Sequence, residues 1–490
     1  MFGREDARIA LEFVPRNAIL LFTMKNSSRP NRWPNVSATA FSRRHFLRTT
    51  ALAGVAAPFI LPSGLRAAAP NSKLSHAAIG VGGMGWNDLN ALARHPATHI
   101  TAICDVDTDH LAKAAKAFPE ARTYSDWREL LEKEGDKIDS VNVSVPDHMH
   151  FSIAYAAIQK RKHVYCQKPM CHDVAEVRTL TEAAVKQGVV TQLGTQIASS
   201  LGDRTTVHLL KTGAIGKIKH AYLTAHRKGA VENYRFPGPR PATGEPPPAS
   251  LAWDSWLGTA PVRPYVPTIY HPQKWRAWLD FGTGWSGDMG CHIFDAMWKG
   301  LGLQPALTVQ AEVQESWEKS PERRADTWPQ GNHITWTFPG NDLIADPELT
   351  VEWFDGEFFP PEAVRALYSL EDYPGEAAML VGTEGALLHV HTRGPILLPE
   401  KKYADYPKPK FEPRDHYQHF VDACLGLAKT ESNFAQSGPM TEAILLGTVA
   451  IRSPGEKLNW DHKGMKFTNV ADARRNLKRS YREGWHTGGF

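Results

Sequence analysis

From Lys73 onward the apolar positions keep two different rhythms. Short apolar runs at Ala77-Ala78-Ile79, Ile100 to Cys104, Ile138 to Val145, His163 to Cys166 and Val189 to Leu193 read as buried strands. Between them the apolar residues fall at helical spacing, as at Trp86, Leu89, Leu92 and Ala93 and again from Leu111 to Phe118. Strand and helix alternating in this way predict a parallel sheet of about six strands covered by helices, over residues 73–196. After Thr195-Gln196 the texture changes. An alternating strand from Ile218 to Arg227 is followed by a proline- and glycine-rich loop, Phe236 to Ala249. A glycine-rich stretch before Cys291 opens a helix, and Phe467 to Tyr481 reads as an amphipathic closing helix. Residues 197–490 are therefore expected to form a second domain.

Residues 1–69 follow another pattern. Ser42-Arg43-Arg44-His45-Phe46-Leu47-Arg48 precedes an apolar stretch, Thr49 to Leu61, and then small residues around Ala67-Ala68-Ala69. A charged region, a short apolar core and a small-residue cleavage site in that order predict an export signal of the twin-arginine type. The apolar core falls short of the about 20 residues that a membrane span needs. The expectation is a periplasmic or secreted protein that engages the twin-arginine export machinery and keeps no stable membrane span. That route carries folded proteins, so a cofactor can be loaded before export and must then be held tightly.

Composition removes some alternatives. The chain has 490 residues, 42% of them hydrophobic and 22% charged, with a formal net charge of only +4. Its lysines and arginines are interspersed with acids, which argues against nucleic acid as a partner. Five cysteines without a CxxC pair read as buried free thiols. The 15 tryptophans suit core packing or a carbohydrate site equally well.

The chemistry begins after the first strand, at Gly80-Val81-Gly82-Gly83-Met84-Gly85. A GxGxxG run is weak evidence alone, but this one joins a strand to a helix, and Asp105 closes the next strand twenty residues after Gly85. Gly80 permits the tight turn, Gly82 lets the backbone approach a pyrophosphate, and Gly85 lets helix and strand pack closely. The helix N-terminus favours the phosphates. Asp105 can accept both hydroxyls of an adenosine ribose and would repel a 2′-phosphate, so NAD is favoured over NADP. Pro146, His150, Gln167 and Lys168 fall at later strand ends, where such folds collect their ligand. In the second domain Asp288 and His292 are four residues apart on one helix face, and Asp295 could orient the ring from below. Oxidation of an alcohol needs a base for the hydroxyl proton, which suits histidine, and a cation near developing alkoxide charge, which suits Lys168. His148, His150 and His163 do not make a convincing metal set.

These motifs together resemble the glucose–fructose oxidoreductase, inositol dehydrogenase and MocA (Gfo/Idh/MocA) family, over nearly everything from Lys73 to the end. The matching segments are GVGGMG, CDVD, VSVPDHMH, YCQKP, GDMGCHIFD and Val381-Gly382-Thr383-Glu384-Gly385. The resemblance implies an α/β protein: an N-terminal Rossmann domain and a C-terminal α/β domain with a large open mixed sheet, often used for homo-oligomer contacts. It implies catalytic roles for Lys168, Asp288 and His292, with Gly83 and Met84 completing the cofactor loop. One departure stands out, because the family's usual glutamate before the lysine is Gln167 here. The loop from Gly229 to Tyr270 and the segment to Arg276 are expected to roof a sugar or polyol, with Tyr270, Trp275 and Arg276 as candidate contacts. Two other readings stay open. One is an NAD-dependent glycoside hydrolase with no net redox change, and the other a non-catalytic dinucleotide-binding protein, which the intact Lys168, Asp288 and His292 disfavour.

Overall fold

The computed structural model describes residues 73–227 and 238–490. The export signal expected before Ala69 lies outside these residues.

Strands β1 (Leu74–Ile79), β2 (Thr98–Cys104), β3 (Arg122–Tyr124), β4 (Ser140–Val143), β5 (His163–Cys166) and β6 (Thr191–Leu193) form one sheet in the order β3-β2-β1-β4-β5-β6. Every pairing in it is parallel. Parallel strands need crossovers, supplied by helices α1 (Gly83–Ala93), α2 (Thr108–Ala117), α3 (Trp127–Glu134), α4 (Asp147–Gln159) and α5 (Val174–Gln187). The order steps outward from β1 in both directions, which leaves a crevice beyond the carboxyl ends of β1 and β4. Local sequence sets several boundaries. Asp107, Asp126 and Asp173 cap α2, α3 and α5 by accepting first-turn N–H groups.

Helix α6 (Leu201–Lys211) leads into a nine-stranded sheet. Its strands are β7 (Ile218–Ala225), β8 (Thr308–Val313), β9 (Asn332–Pro339), β10 (Glu348–Asp355), β11 (Glu376–Gly382), β12 (Ala386–Val390), β13 (Pro395–Leu398), β14 (Leu458–Asp461) and β15 (Lys466–Phe467). They are ordered β13-β12-β11-β7-β10-β9-β8-β14-β15. Only β7 and β10 pair in parallel, so the sheet is mixed. Strand β9 alternates buried and half-buried residues along its length, the mark of a sheet with one packed face and one wet face. On the packed face lie α6, α7 (Gly284–Leu301) and α9 (Phe434–Ile451), while α8 (His416–Cys424) packs back on α1. Trp317, Trp336 and Trp353 are fully buried, and Trp253, Trp256, Trp275 and Trp278 share an aromatic cluster with Tyr270 and Phe281. For these the packing role of tryptophan prevails. All five cysteines are free, and among the described residues no helix is long and apolar enough to cross a membrane.

The closing segment departs from the expected amphipathic helix. Strand β15 ends at Phe467, a single 3-10 turn covers Ala471–Asn476, and the rest is irregular. The reason is electrostatic. Arg479 leaves the surface and inserts between α4 and α5, where its Nε and Nη2 donate to Glu176 Oε1 at 3.0 and 2.8 Å. Its Nε also stands 3.6 Å from Asp173 Oδ2, and Tyr481 donates to the same Glu176 oxygen. A regular helix would point this side chain elsewhere. Removing a cation that faces two buried carboxylates leaves uncompensated charge. Arg479→Ala is therefore expected to destabilise the protein by about 3–5 kcal/mol in urea unfolding; a loss under 1 kcal/mol would show that the insertion is incidental.

Candidate active site

The crevice is lined first by glycines. Gly80 adopts φ +82°, and a Cβ there would collide with the carbonyl oxygen of Ser144 after β4. A Cβ on Gly85 would strike the carbonyl of Gly80, so α1 can approach the end of β1 only because residue 85 is glycine. A Cβ on Gly82 would meet the His110 imidazole, whereas the space above Gly83 is open. Met84 is half-exposed on the first turn. Unlike α2, α3 and α5, helix α1 has no side-chain cap and no acid in its first turn. Its N-terminal N–H groups and partial positive charge are thus presented to the open crevice, an arrangement that suits a phosphate.

Asp105 stands at the end of β2, one oxygen accepting the Val81 N–H at 2.8 Å and the other the Asp107 N–H at 2.9 Å. Each oxygen keeps a second lone pair for a ribose hydroxyl. His110 was not singled out from sequence, although it lies three residues beyond the cap Asp107. Its Nδ1 is 3.8 Å from Asp105 and 3.9 Å from Asp107, and the Asp105 carboxylate pushes its pKa up. The second domain closes over this corner. Thr108 N–H donates to Ser250 O at 2.8 Å, Ala252 N–H donates to Val106 O at 2.9 Å, and His271 Nε2 sits 3.2 Å from Asp107. The loop, the uncapped helix and Asp105 together fit a dinucleotide.

At the other end of the crevice the two domains exchange charge. Lys168, just after β5, places Nζ 2.9 Å from Asp288 Oδ1 on α7. His292, one turn further along α7, is 8% exposed, and its Nδ1 has no hydrogen-bond partner among the described residues. Burial, with the Lys168 charge nearby, pushes its pKa well below the usual imidazole range. A neutral ring beside a cation can accept a hydroxyl proton. The Arg276 guanidinium stands 4.2 Å from the centroid of the Trp275 ring and reaches to 3.8 Å from Asp288 Oδ1. Of the three residues expected to contact a sugar, Arg276 lies against the Asp288 carboxylate. Trp275 is 5% exposed beneath it, and Tyr270 has no exposed surface and belongs to the aromatic core.

Two other residues singled out from the sequence meet different partners. Asp295 does not orient His292, because its Oδ2 pairs with Lys299 one turn further on, at 2.6 Å. The ring that faces His292 is His391, beyond β12, at 5.1 Å between centroids. His150 is wholly buried, with Nδ1 2.7 Å from Pro169 O and Nε2 2.8 Å from Val145 O. It braces the ends of two strands, whereas Pro146 remains half-buried at the crevice as the N-cap of α4. Among the described residues no group of three His, Cys, Asp or Glu side chains could hold a metal ion.

Two family models match this architecture domain by domain. The model described as the oxidoreductase family, NAD-binding Rossmann fold, of Gfo/Idh/MocA type, matches residues 74–195, and that family's C-terminal alpha/beta domain matches residues 204–346. Together they account for more than half of the chain. The chain belongs to the Gfo/Idh/MocA oxidoreductase family. Inositol 2-dehydrogenase of Salmonella typhimurium is 24% identical over 162 residues, 32% of this chain and 48% of that protein. A glycosyl hydrolase family 109 protein of Saccharopolyspora erythraea is 31% identical over 172 residues, 30% of this chain and 37% of that protein. The chain thus spans about half or less of the length of these curated relatives. An inositol dehydrogenase homologue from Azotobacter vinelandii, solved with NADH and myo-inositol, shares the fold. Its TM-score is 0.52 at 15% identity, over 79% of this chain and 98% of that one.

Within this Gfo/Idh/MocA frame the chain carries a buried acid that sequence reasoning passed over. Asp147, between the noted Pro146 and His148, accepts the N–H and the hydroxyl of Thr283, the N-cap of α7, at 3.2 and 3.1 Å. It thereby ties the start of α7 to the dinucleotide domain. Burial, and then the nearby Asp288 carboxylate, raise its pKa from 3.8 to about 7, against the pull of Arg276 and Lys168. A raised carboxyl pKa means that ionising it costs stability. That cost is absent where both folded and unfolded chains are protonated, grows through mildly acid pH, and is complete above the folded value. Asp147→Asn keeps an acceptor for Thr283, so its melting temperature should exceed the parent's clearly at about pH 8 and hardly at all at about pH 4. A gain independent of pH would disprove the raised pKa.

Proposed function

We propose that this protein is an exported, NAD-dependent oxidoreductase that moves a hydride between the cofactor and a CH–OH carbon of a sugar, polyol or glycoside. The observation that carries this reading is the Lys168–Asp288 contact of 2.9 Å across the domain boundary, with buried His292 one helical turn away. It stands beside a glycine loop and uncapped helix suited to a dinucleotide. When bound, a nicotinamide supplies the hydride acceptor or donor. The chain's own groups do the remainder. His292 takes the substrate hydroxyl proton, Lys168 steadies the oxygen as negative charge develops, and Asp288 holds Lys168 in place. In the reverse direction the same groups return the proton.

NAD over NADP rests on Asp105, whose carboxylate would face a 2′-phosphate. Tight retention agrees with the backbone seam at residues 250–252, and loading before twin-arginine export agrees with retention. Residues 1–69 as signal, 73–196 as dinucleotide domain and 197–490 as catalytic domain form part of this reading. So does a homo-oligomer built on the wet face of the nine-stranded sheet. The similarity to a glycosyl hydrolase family 109 protein favours one second reading, in which the oxidation is transient and a glycosidic bond is cleaved with no net redox change.

Nucleotide released from the purified mature protein is expected to be NAD(H), and a panel of sugars and polyols should identify one that reduces NAD+. Sugar release without accumulating NADH would instead support the hydrolase. His292→Ala is expected to lower kcat by roughly 10²- to 10⁴-fold with the nucleotide still bound; undiminished turnover refutes the base assignment. Asp105→Ala should weaken NAD+ binding by roughly ten- to a hundredfold in calorimetric titration, and unchanged affinity would remove the ribose contact.

A further inference from the structure

Beneath Lys168 lies a buried polar unit that the proposed chemistry does not use. The Gln167 amide turns into the protein. Its Nε2 donates to both oxygens of Asp88 on α1, at 3.0 and 2.9 Å, and its Oε1 accepts the backbone N–H of Lys168 at 3.3 Å. Gly194 leaves it room, since a Cβ there would come within 2.8 Å of the amide carbon. Asp88 has no exposed surface. It also accepts the Ser144 hydroxyl at 2.6 Å and the Tyr417 hydroxyl of α8 at 2.8 Å. Burial raises its pKa, and these three donors oppose the rise. One side chain thus joins the helix of the glycine loop, the end of β4, the end of β5 and α8, the strand ends being those that border the crevice.

We propose that Asp88 is a positioning residue for Lys168, acting through Gln167, and that the two form an exchangeable unit of one carboxylate and one amide. The chemistry sets the rule. An amide at 167 donates to a carboxylate at 88, and the hydroxyls of Ser144 and Tyr417 complete the shell. A carboxylate at 167 needs an amide at 88, whose N–H can donate outward while the same hydroxyls rotate to suit its oxygen. Two carboxylates in contact cannot both ionise inside the protein, and one of them would take up a proton. The glutamate expected before the lysine from family resemblance is thus not simply lost, since its negative charge stands one side chain deeper, at Asp88.

The test is a four-protein cycle of parent, D88N, Q167E and D88N/Q167E. Melting temperature, NAD+ affinity and the pH profile of kcat/KM are measured on the sugar or polyol that the parent turns over. This rests on the proposed oxidoreductase reading, and a parent that neither binds NAD+ nor turns over any polyol defeats that reading, not this one. With an active parent, Q167E is expected to lose at least about tenfold in kcat/KM near neutral pH, the order of one lost charge-assisted hydrogen bond. D88N/Q167E should recover most of that loss. Moving the charge one side chain nearer Lys168 should also shift the alkaline limb of the double variant's profile upward by about half a pH unit or more. A packing role alone would leave that limb in place. Should the singles fail to fold, a double variant that folds and turns over still carries the proposal. A double variant that sums the defects of the singles, that fails to fold, or whose pH profile matches the parent's overturns it.

Discussion

A cation from one domain and a carboxylate from the other must meet in a space that water barely enters. Lys168 comes from the end of a parallel strand and Asp288 from a helix more than a hundred residues later, and both are largely buried where they meet. Removing either charge from water costs several kcal/mol, which only a close and well-oriented partner offsets. Much of the surrounding structure secures that meeting. Asp147 fastens the start of α7 to the dinucleotide domain, His150 braces the two strand ends, and the Asp88–Gln167 unit holds the backbone of the lysine itself. The tail inserts Arg479 behind the helix that Asp147 begins.

The electrostatics follow from this crowding. Burial and the neighbouring cation keep His292 neutral, while Asp147 is held near the point of losing a proton. Both feel the charges of Lys168 and Asp288, so a change of charge on that pair reaches each of them. At the opposite end of the crevice Asp105 governs a second local balance, raising the pKa of His110. The two ends are chemically separate, one suited to a ribose and the other to proton movement.

The dinucleotide half was largely legible in the sequence. Short apolar runs, helical spacing between them and a glycine motif in its proper place define that fold with little ambiguity. Lys168, Asp288 and His292 were reached partly through spacing and partly through resemblance, and the structure brings the first two into contact. What the sequence hid depends on distant chain segments. His391 meets His292 from a strand end a hundred residues away, and Asp147 sat unremarked inside a quoted motif because its partner, Thr283, lies in the other domain. Asp295 and the tail were misread for a related reason. Helical spacing places Asp295 equally near His292 and Lys299, and amphipathic spacing says nothing about two buried acids waiting for an arginine.

The seam between residues 250–252 and residues 106–108 has a further consequence. It is built from peptide groups of both domains, with an N–H donated in each direction. Substitutions that reshape the wall around Lys168 can therefore accumulate without loosening the corner around Asp105, because main-chain bonds do not depend on which side chain sits above them. A fold arranged in this way can vary its side chains across evolution while the join between its two halves stays intact.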